Sequence, residues 1–241
     1  FIVAGYDTNV GHEFIHRLKD KIAMLQGRWL LSTSCNPDFA IEHVYGHHLT
    51  VGTKEDPATA RKGENVYAFF IRSTVMGHIS AWKLELKRLR KKEYNLISLR
   101  NRMITGYMMS GFWCVIFFIA GGVLGLGLFL VQAVFAKFIL EIVNYMEHYG
   151  LTRKPEQRIA PELSWNSNKK MSNLVLFSLT RHSAHHEKPI VKFWELDPYE
   201  DAPQMPYGYL TTLLFCLIPP LWYRIMTPKL DVWEKHNVPV I

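Results

Sequence analysis

Nine of the eleven histidines in this chain fall into four groups. His12 and His16 sit four apart in HEFIH, and His43, His47 and His48 occur in EHVYGHH. His148 lies in NYMEHYG, and His182, His185 and His186 occur in RHSAHH, while His78 and His236 stand alone. Spacings of three and four put side chains on one helix face, so each multi-histidine group can point two or three imidazoles at one place. The chemistry this suggests is metal binding. H-E-x-x-H by itself is the helix signature of zinc metalloproteases, with the intervening Glu (here Glu13) as base. A catalytic zinc takes three protein ligands and a water, so a protease leaves most of these histidines without a role. Nine imidazoles suit two ions of four or five ligands each. They suit iron, copper, zinc or nickel, so ligand type does not name the metal.

Glu13, Glu42 and Glu147 each neighbour a histidine. A ligating imidazole commonly donates its second ring N–H to a carboxylate, and that is the role expected of these three, with a solvated helix residue as the plain alternative. The three cysteines, Cys35, Cys114 and Cys216, are far apart and form no C-x-x-C. That excludes a cysteine-based zinc ribbon or rubredoxin-type iron site within this chain and argues against a disulfide framework.

The elements that must position these groups are helical and apolar. Of 241 residues, 49% are apolar, enough for one sizeable domain, and the chain begins at Phe1 in an apolar stretch rather than at Met. The expectation is a single domain over 1–241 whose N-terminal part is missing, with 1–10 the end of an earlier span. Between Arg102 and Lys137 lie 34 residues without Asp, Glu, Lys or Arg. One straight helix of that length extends about 51 Å, well beyond a hydrocarbon core of about 30 Å. Gly121, Gly122, Gly125 and Gly127 lie near its middle, so a hairpin of two spans, about 103–121 and 124–146, is predicted. Lys137 and Glu141 share a face of the second span, and either pair with each other or serve a site. A further apolar stretch, 207–226, is interrupted by Pro219-Pro220 and either dips into the bilayer or lies on it.

The net charge of +7 is uneven, with Lys83, Lys87, Arg88, Arg90, Lys91 and Lys92 in one short run. Nucleic-acid binding is one reading of such a run; a solvated helix face beside a membrane fits the neighbouring spans better, and no nucleic acid is expected. Basic residues at 100–102 and at Arg153 and Lys154 flank the hairpin and put both its ends on the cytoplasmic side. The predicted fold class is therefore all-α: an integral-membrane, multi-pass helical bundle with a histidine-rich metal site on the cytoplasmic side.

The set H-E-x-x-H, E-H-x-x-G-H-H, N-Y-x-E-H-Y-G and R-H-S-x-H-H, in this order around an apolar hairpin, resembles the integral-membrane alkane hydroxylases, the alkane 1-monooxygenase family. EDPATA (55–60), SWNSN (164–168) and IPPLW (218–222) are similar to that family too, so the resemblance runs from Val10 to about Trp222. It implies six spans in a bacterial inner membrane, the first three or so absent here, and a cytoplasmic-side di-iron centre supplied with electrons by rubredoxin and rubredoxin reductase, with O2 as co-substrate. The ligands it implies are His12, His16, His43, His47, His48, His148, His182, His185 and His186; Glu141 joins Glu13, Glu42 and Glu147 as a supporting carboxylate. The chain departs from the family pattern at Arg17, usually Lys, and at Thr180 and Ala184, usually Gln and Asp. The ligands survive these changes, while a carboxylate beside them is lost at 184.

The implied chemistry follows from its target. A methyl C–H bond is strong and unpolarised, so acid–base groups cannot attack it and the oxidising power must come from the metal. Alkanes partition into lipid, and a channel between spans could take them from the bilayer; Phe112, Trp113, Phe117 and Phe118 are candidate liners, with lipid-facing or packing aromatics as the alternative. The run 83–92 could dock an acidic rubredoxin or contact membrane lipid headgroups. The expected function is hydroxylation of the terminal methyl of n-alkanes to primary alcohols. A xylene- or cymene-type aromatic-methyl monooxygenase is the first alternative. A fatty-acyl desaturase or hydroxylase is expected to carry H-x-x-x-H and H-x-x-H-H boxes without His148, and a metal transporter to string its ligands along a path through the spans.

Overall fold

The computed structural model describes residues 6–237, and these are helical with no named strand, one isolated bridge joining Asn166 and Gln204. They divide into two compact units. Of the described residues, the first holds 6–49 together with Thr74–Leu140; the second holds Thr50–Ser73 and 141–237.

In the first unit, α1 (Thr8–Ile15) and α2 (Lys21–Ser32) pack closely because two glycines meet. A Cβ on Gly27 would lie 2.9 Å from the Gly11 carbonyl oxygen and 3.0 Å from Ile15 Cγ2. Asp20 starts α2 by accepting from the Ile22 and Ala23 N–H groups at 2.9 and 3.0 Å, satisfying donors that no intrahelical partner reaches. Ile15, Leu31, Phe39 and Ala40 form the apolar core beneath α1. The chain then runs through α3 (Phe39–Glu42), a π-helical turn (His43–His47) and α4 (His48–Thr50). The long amphipathic α5 (Val66–Lys91) belongs to this unit from Thr74 onward. Its basic end is a solvated face, as expected from the charge run: Lys83, Lys87, Arg90 and Lys91 are exposed. Arg88 turns inward and, with Arg102, holds the buried Glu85 carboxylate.

α6 (Arg102–His148) runs over 47 residues, broken at Gly121 and Gly122, whose backbone is non-helical. Gly122, with φ +60° and ψ −148°, occupies a region essentially reserved for glycine. Phe117 and Phe129 stack with centroids 4.8 Å apart, whereas twelve residues of straight helix separate them by about 18 Å. The helix therefore folds back on itself at the two glycines, giving arms 102–120 and 123–148. Among the described residues α6 is the one helix long and apolar enough to cross a membrane, and almost none of its most apolar stretch is buried in the protein. Of the stretch 1–10 expected to end an earlier span, residues 1–5 lie outside the described residues, and Thr8 and Asn9 are buried in α1.

The second unit gathers around the end of α6. Tyr145, Tyr149 and Trp222 pack at 5.3–5.4 Å between centroids. Gly150 ends the helix with φ +73°, and its N–H bonds to the Ala60 carbonyl at 2.9 Å. A Cβ there would collide with Leu230. The apolar stretch 207–226 is two helices, α9 (Tyr209–Cys216) and α10 (Pro219–Asn237). Pro219 and Pro220 open α10, the one place in a helix where the missing N–H costs nothing. Two short helices precede them, α7 (Lys170–Val175) and α8 (His182–Glu187).

Candidate metal centre

In the first unit, α1 supplies His12 and its C-cap residue His16 follows one turn on, with ring centroids 4.8 Å apart. The second histidine box is not the α-helix that its spacing suggests. Across His43–His47 the backbone is a π turn, and the His48 N–H bonds back to the carbonyl of His43, five residues earlier. The wider turn brings residues i and i+5 onto one face. His43 and His48 accordingly meet at 3.1 Å, Nε2 to Nε2, and His12 Nε2 lies 2.8 Å from His43 Nε2. The donor atoms of His12, His16, His43 and His48 all lie within 4.8 Å of one another, and all four rings are buried. His47 is fully buried but is not of this set. Phe39 stacks on His43 at 4.6 Å and 17°, which holds that ring in plane. Gly46 leaves room for the Glu42 carboxylate beside the π turn: a Cβ there would stand 2.6 Å from Glu42 Oε1, and the carboxylate would have to move.

In the second unit, His148 is the last residue of α6, and α8 presents His182, His185 and His186, all buried. Six residues make too short a helix to hold itself, and its start is clamped by the SWNSN segment. Asn166 Oδ1 accepts from the Ser183 N–H at 2.8 Å, and Ser183 Oγ donates to the Ser164 carbonyl at 3.0 Å. The result sets His182 Nε2 at 3.2 Å from His148 Nε2 and 3.0 Å from His186 Nε2. The donor atoms of His148, His182 and His186 lie within 4.8 Å of one another. His148 Nδ1 is 3.0 Å from the Leu163 carbonyl oxygen. A carbonyl only accepts, so the ring proton sits on Nδ1 and Nε2 is left with its lone pair toward the other two rings.

Both sets fit a cation. Two donors on adjacent sites of an ion with bonds of about 2.1 Å stand roughly 3.0–3.4 Å apart, which matches the Nε2 separations here. Burial, reinforced by the neighbouring imidazoles, pushes the His12 pKa down to about 3 and those of His16 and His43 well below their ordinary value, keeping the rings in the neutral form that binds metal.

The expected carboxylates fall in different places. Glu147 Oε2 lies 3.2 Å from His182 Nε2, and both side chains are buried. Glu42 is buried, with Oε1 3.4 Å from Ser80 Oγ. Glu141 is buried and accepts from Asn144 at 3.3 Å. Glu13 is half-buried and pairs with Arg17 at 3.1 Å. Of the aromatic candidates, Phe112, Phe117 and Phe118 are 40–50% exposed on the first arm of α6. Trp113 turns inward, 3.1 Å from Ser32 Oγ and edge-on to Trp29. Tyr209, which no histidine box contains, hydrogen-bonds Glu147 Oε1. The three cysteines are free and none joins a histidine set.

A helical chain with buried all-imidazole sets and a long apolar hairpin defines a class of membrane-associated metal proteins, and comparison with known sequences agrees. Residues 1–215 match the fatty acid desaturase family, and the chain belongs to it. It is 40% identical over 235 residues to alkane 1-monooxygenase 2 of Alcanivorax borkumensis, covering 95% of this chain and 61% of that protein. It is 42% identical over 229 residues to alkane 1-monooxygenase 1 of Pseudomonas aeruginosa, covering 93% and 60%. It is 34% identical over 232 residues to the xylene/toluene monooxygenase hydroxylase component XylM of Pseudomonas putida, covering 94% and 61%. The chain thus spans about three-fifths of the length of the curated relatives it matches.

Proposed function

We propose that this chain carries the catalytic part of a membrane monooxygenase that converts the terminal methyl of n-alkanes to a primary alcohol, R–CH3 + O2 + 2e⁻ + 2H⁺ giving R–CH2OH + H2O. The observation that carries the reading is the pair of buried all-imidazole sets in a chain 35–42% identical to proteins named alkane 1-monooxygenase. His12, His16, His43, His48, His148, His182 and His186, with His47 and His185 completing nine, would hold two iron ions. Iron bound there supplies the oxidising chemistry that an unpolarised C–H bond demands and side chains lack.

The chain's own residues prepare that site. Burial keeps His12, His16 and His43 neutral, the Leu163 carbonyl fixes the His148 tautomer, and the SWNSN clamp holds α8 in register. Phe112, Trp113, Phe117 and Phe118 line the route by which an alkane leaves the bilayer along the apolar hairpin. Electrons come from rubredoxin and its reductase, docking on the basic end of α5. The enzyme sits in a bacterial inner membrane with the histidines on the cytoplasmic side, consistent with the basic residues flanking α6.

The test uses full-length protein in membranes with rubredoxin, its reductase and NADH, supplied with a mixture of n-alkanes and p-xylene. Primary alcohols from the alkanes, lost in His185→Ala, are expected. Benzylic alcohol alone would move the enzyme to the aromatic-methyl substrates suggested by its likeness to XylM. With iron bound and electron transfer working, absence of both products would return it to acyl-lipid substrates.

A further inference from the structure

Glu147 does not stand where a carboxylate that merely orients a histidine would stand. Such a carboxylate meets the ring nitrogen facing away from the metal. Glu147 Oε2 instead lies 3.2 Å from His182 Nε2, the nitrogen that also faces His148 Nε2 and His186 Nε2 at 3.2 and 3.0 Å. Its distance from His182 Nε2 is within 0.2 Å of those separating that nitrogen from the other two. The carboxylate is aimed from behind: the phenol of Tyr209 donates to Oε1, the oxygen turned away from His182. Tyr209 is itself fixed. It is the first residue of α9, fully buried, and its backbone N–H bonds Ser172 Oγ at 3.0 Å. The main chain of Glu147 is pinned from the other direction, its carbonyl accepting from the Trp165 N–H at 2.7 Å.

We propose that Tyr209 is a positioning residue for Glu147. It holds Oε1 so that Oε2 borders, on its donor side, the ion bound by His148, His182 and His186. There the carboxylate lowers the net charge of a site that otherwise has only neutral ligands. A carboxylate buried among neutral rings requires compensation by hydrogen bonds and a cation. Tyr209 is the hydrogen bond and the ion is the cation. This inference rests on the metal reading above and extends it to one residue outside the histidine boxes.

The experiment is done on full-length protein in detergent, with wild type, Tyr209→Phe, Glu147→Gln and the double variant. Apo-protein is titrated with Co(II), followed by its visible absorption, and protein loaded with ⁵⁷Fe is examined by Mössbauer spectroscopy. In Tyr209→Phe, affinity for one of two Co(II) ions is expected to fall about tenfold or more, and one ferrous doublet to move while the other stays. Glu147→Gln should change the same doublet, and the double variant should add nothing. A Tyr209→Phe protein that melts earlier yet keeps both affinities and both doublets would overturn the proposal, since a purely structural tyrosine does that. Should Tyr209→Phe not fold, Glu147→Gln decides: wild-type doublets there overturn it equally. Wild-type protein that took up no metal would instead sink the metal reading, and this proposal with it.

Discussion

His148 Nδ1 and the carbonyl oxygen of Leu163 lie 3.0 Å apart, so a main-chain atom decides which nitrogen of a buried imidazole is free to bind. His148→Ala removes a donor from the set in the second unit and leaves the four donors of the first unit intact. Under the function proposed above, elemental analysis is expected to find one metal ion per chain in place of two, with alcohol formation down about a hundredfold and helix content unchanged by circular dichroism.

Glu85 ties the end of α5 to the start of α6. Its carboxylate, fully buried, accepts from Arg88 at 2.6 and 2.8 Å and from the Arg102 side chain and N–H at 2.8 and 2.7 Å. Burial alone would raise its pKa, but the hydrogen bonds from Arg88 and Arg102 outweigh this and hold it at about 2. Glu85→Ala is expected to destabilise the protein by about 3 kcal/mol, the low end for a broken buried ion pair because both guanidiniums reach solvent. A folded-state pKa below the ordinary value of 4.5 means the stabilisation is full above that pH and fades as pH falls toward 2. Urea titrations of wild type and variant should therefore converge in acid.

His78 has the opposite sign. Its Nδ1 lies 3.7 Å from Asp38, its Nε2 meets the Tyr107 hydroxyl at 2.7 Å, and the contact with Asp38 raises its pKa despite partial burial and Lys137. The contribution is full below the ordinary value of 6.5 and is lost as pH rises through the higher folded-state value. His78 is 40% exposed, so the effect is screened to less than about 1 kcal/mol. The melting temperature of wild type is expected to drop from pH about 6 to about 8.5 relative to His78→Gln. Parallel curves would show that this contact contributes nothing.

The hairpin turn can be tested with two glycines in one helix. A Cβ on Gly122 meets nothing within 4 Å, so the cost of Gly122→Ala is purely that of its backbone conformation, about 1–3 kcal/mol. Gly127, without a positive φ and equally open, is the control. Gly127→Ala is expected to be neutral or stabilising by up to about 1 kcal/mol. Thermal unfolding in detergent ranks the two, and equal effects would mean that Gly122 is not the turn.

Much of this was legible from residue types and spacing alone. The 34-residue stretch without charge and its glycines foretold a hairpin, and the folded-back α6 has its break at Gly121 and Gly122. His12 and His16 obey α-helical periodicity, as do His182 and His186, because those segments are α-helical. What stayed hidden is what periodicity cannot carry. Tyr209 reaches Glu147 across 62 positions, and nothing in a lone tyrosine ahead of an apolar helix signals a carboxylate. The exposure of Phe112, Phe117 and Phe118 was equally illegible, since apolar residues crowd every face of that segment.

The π turn at His43–His47 has a consequence for comparing histidine boxes between proteins. A π turn holds one residue more than the α turn it replaces, so His43 and His48, five apart, do the work that an α-helical box gives to residues four apart. An alignment that pairs such boxes letter by letter will match His47 to the partner of His43 and equate residues of different geometry. The gap that restores equivalence belongs within 44–46, between the ligands, where no histidine stands.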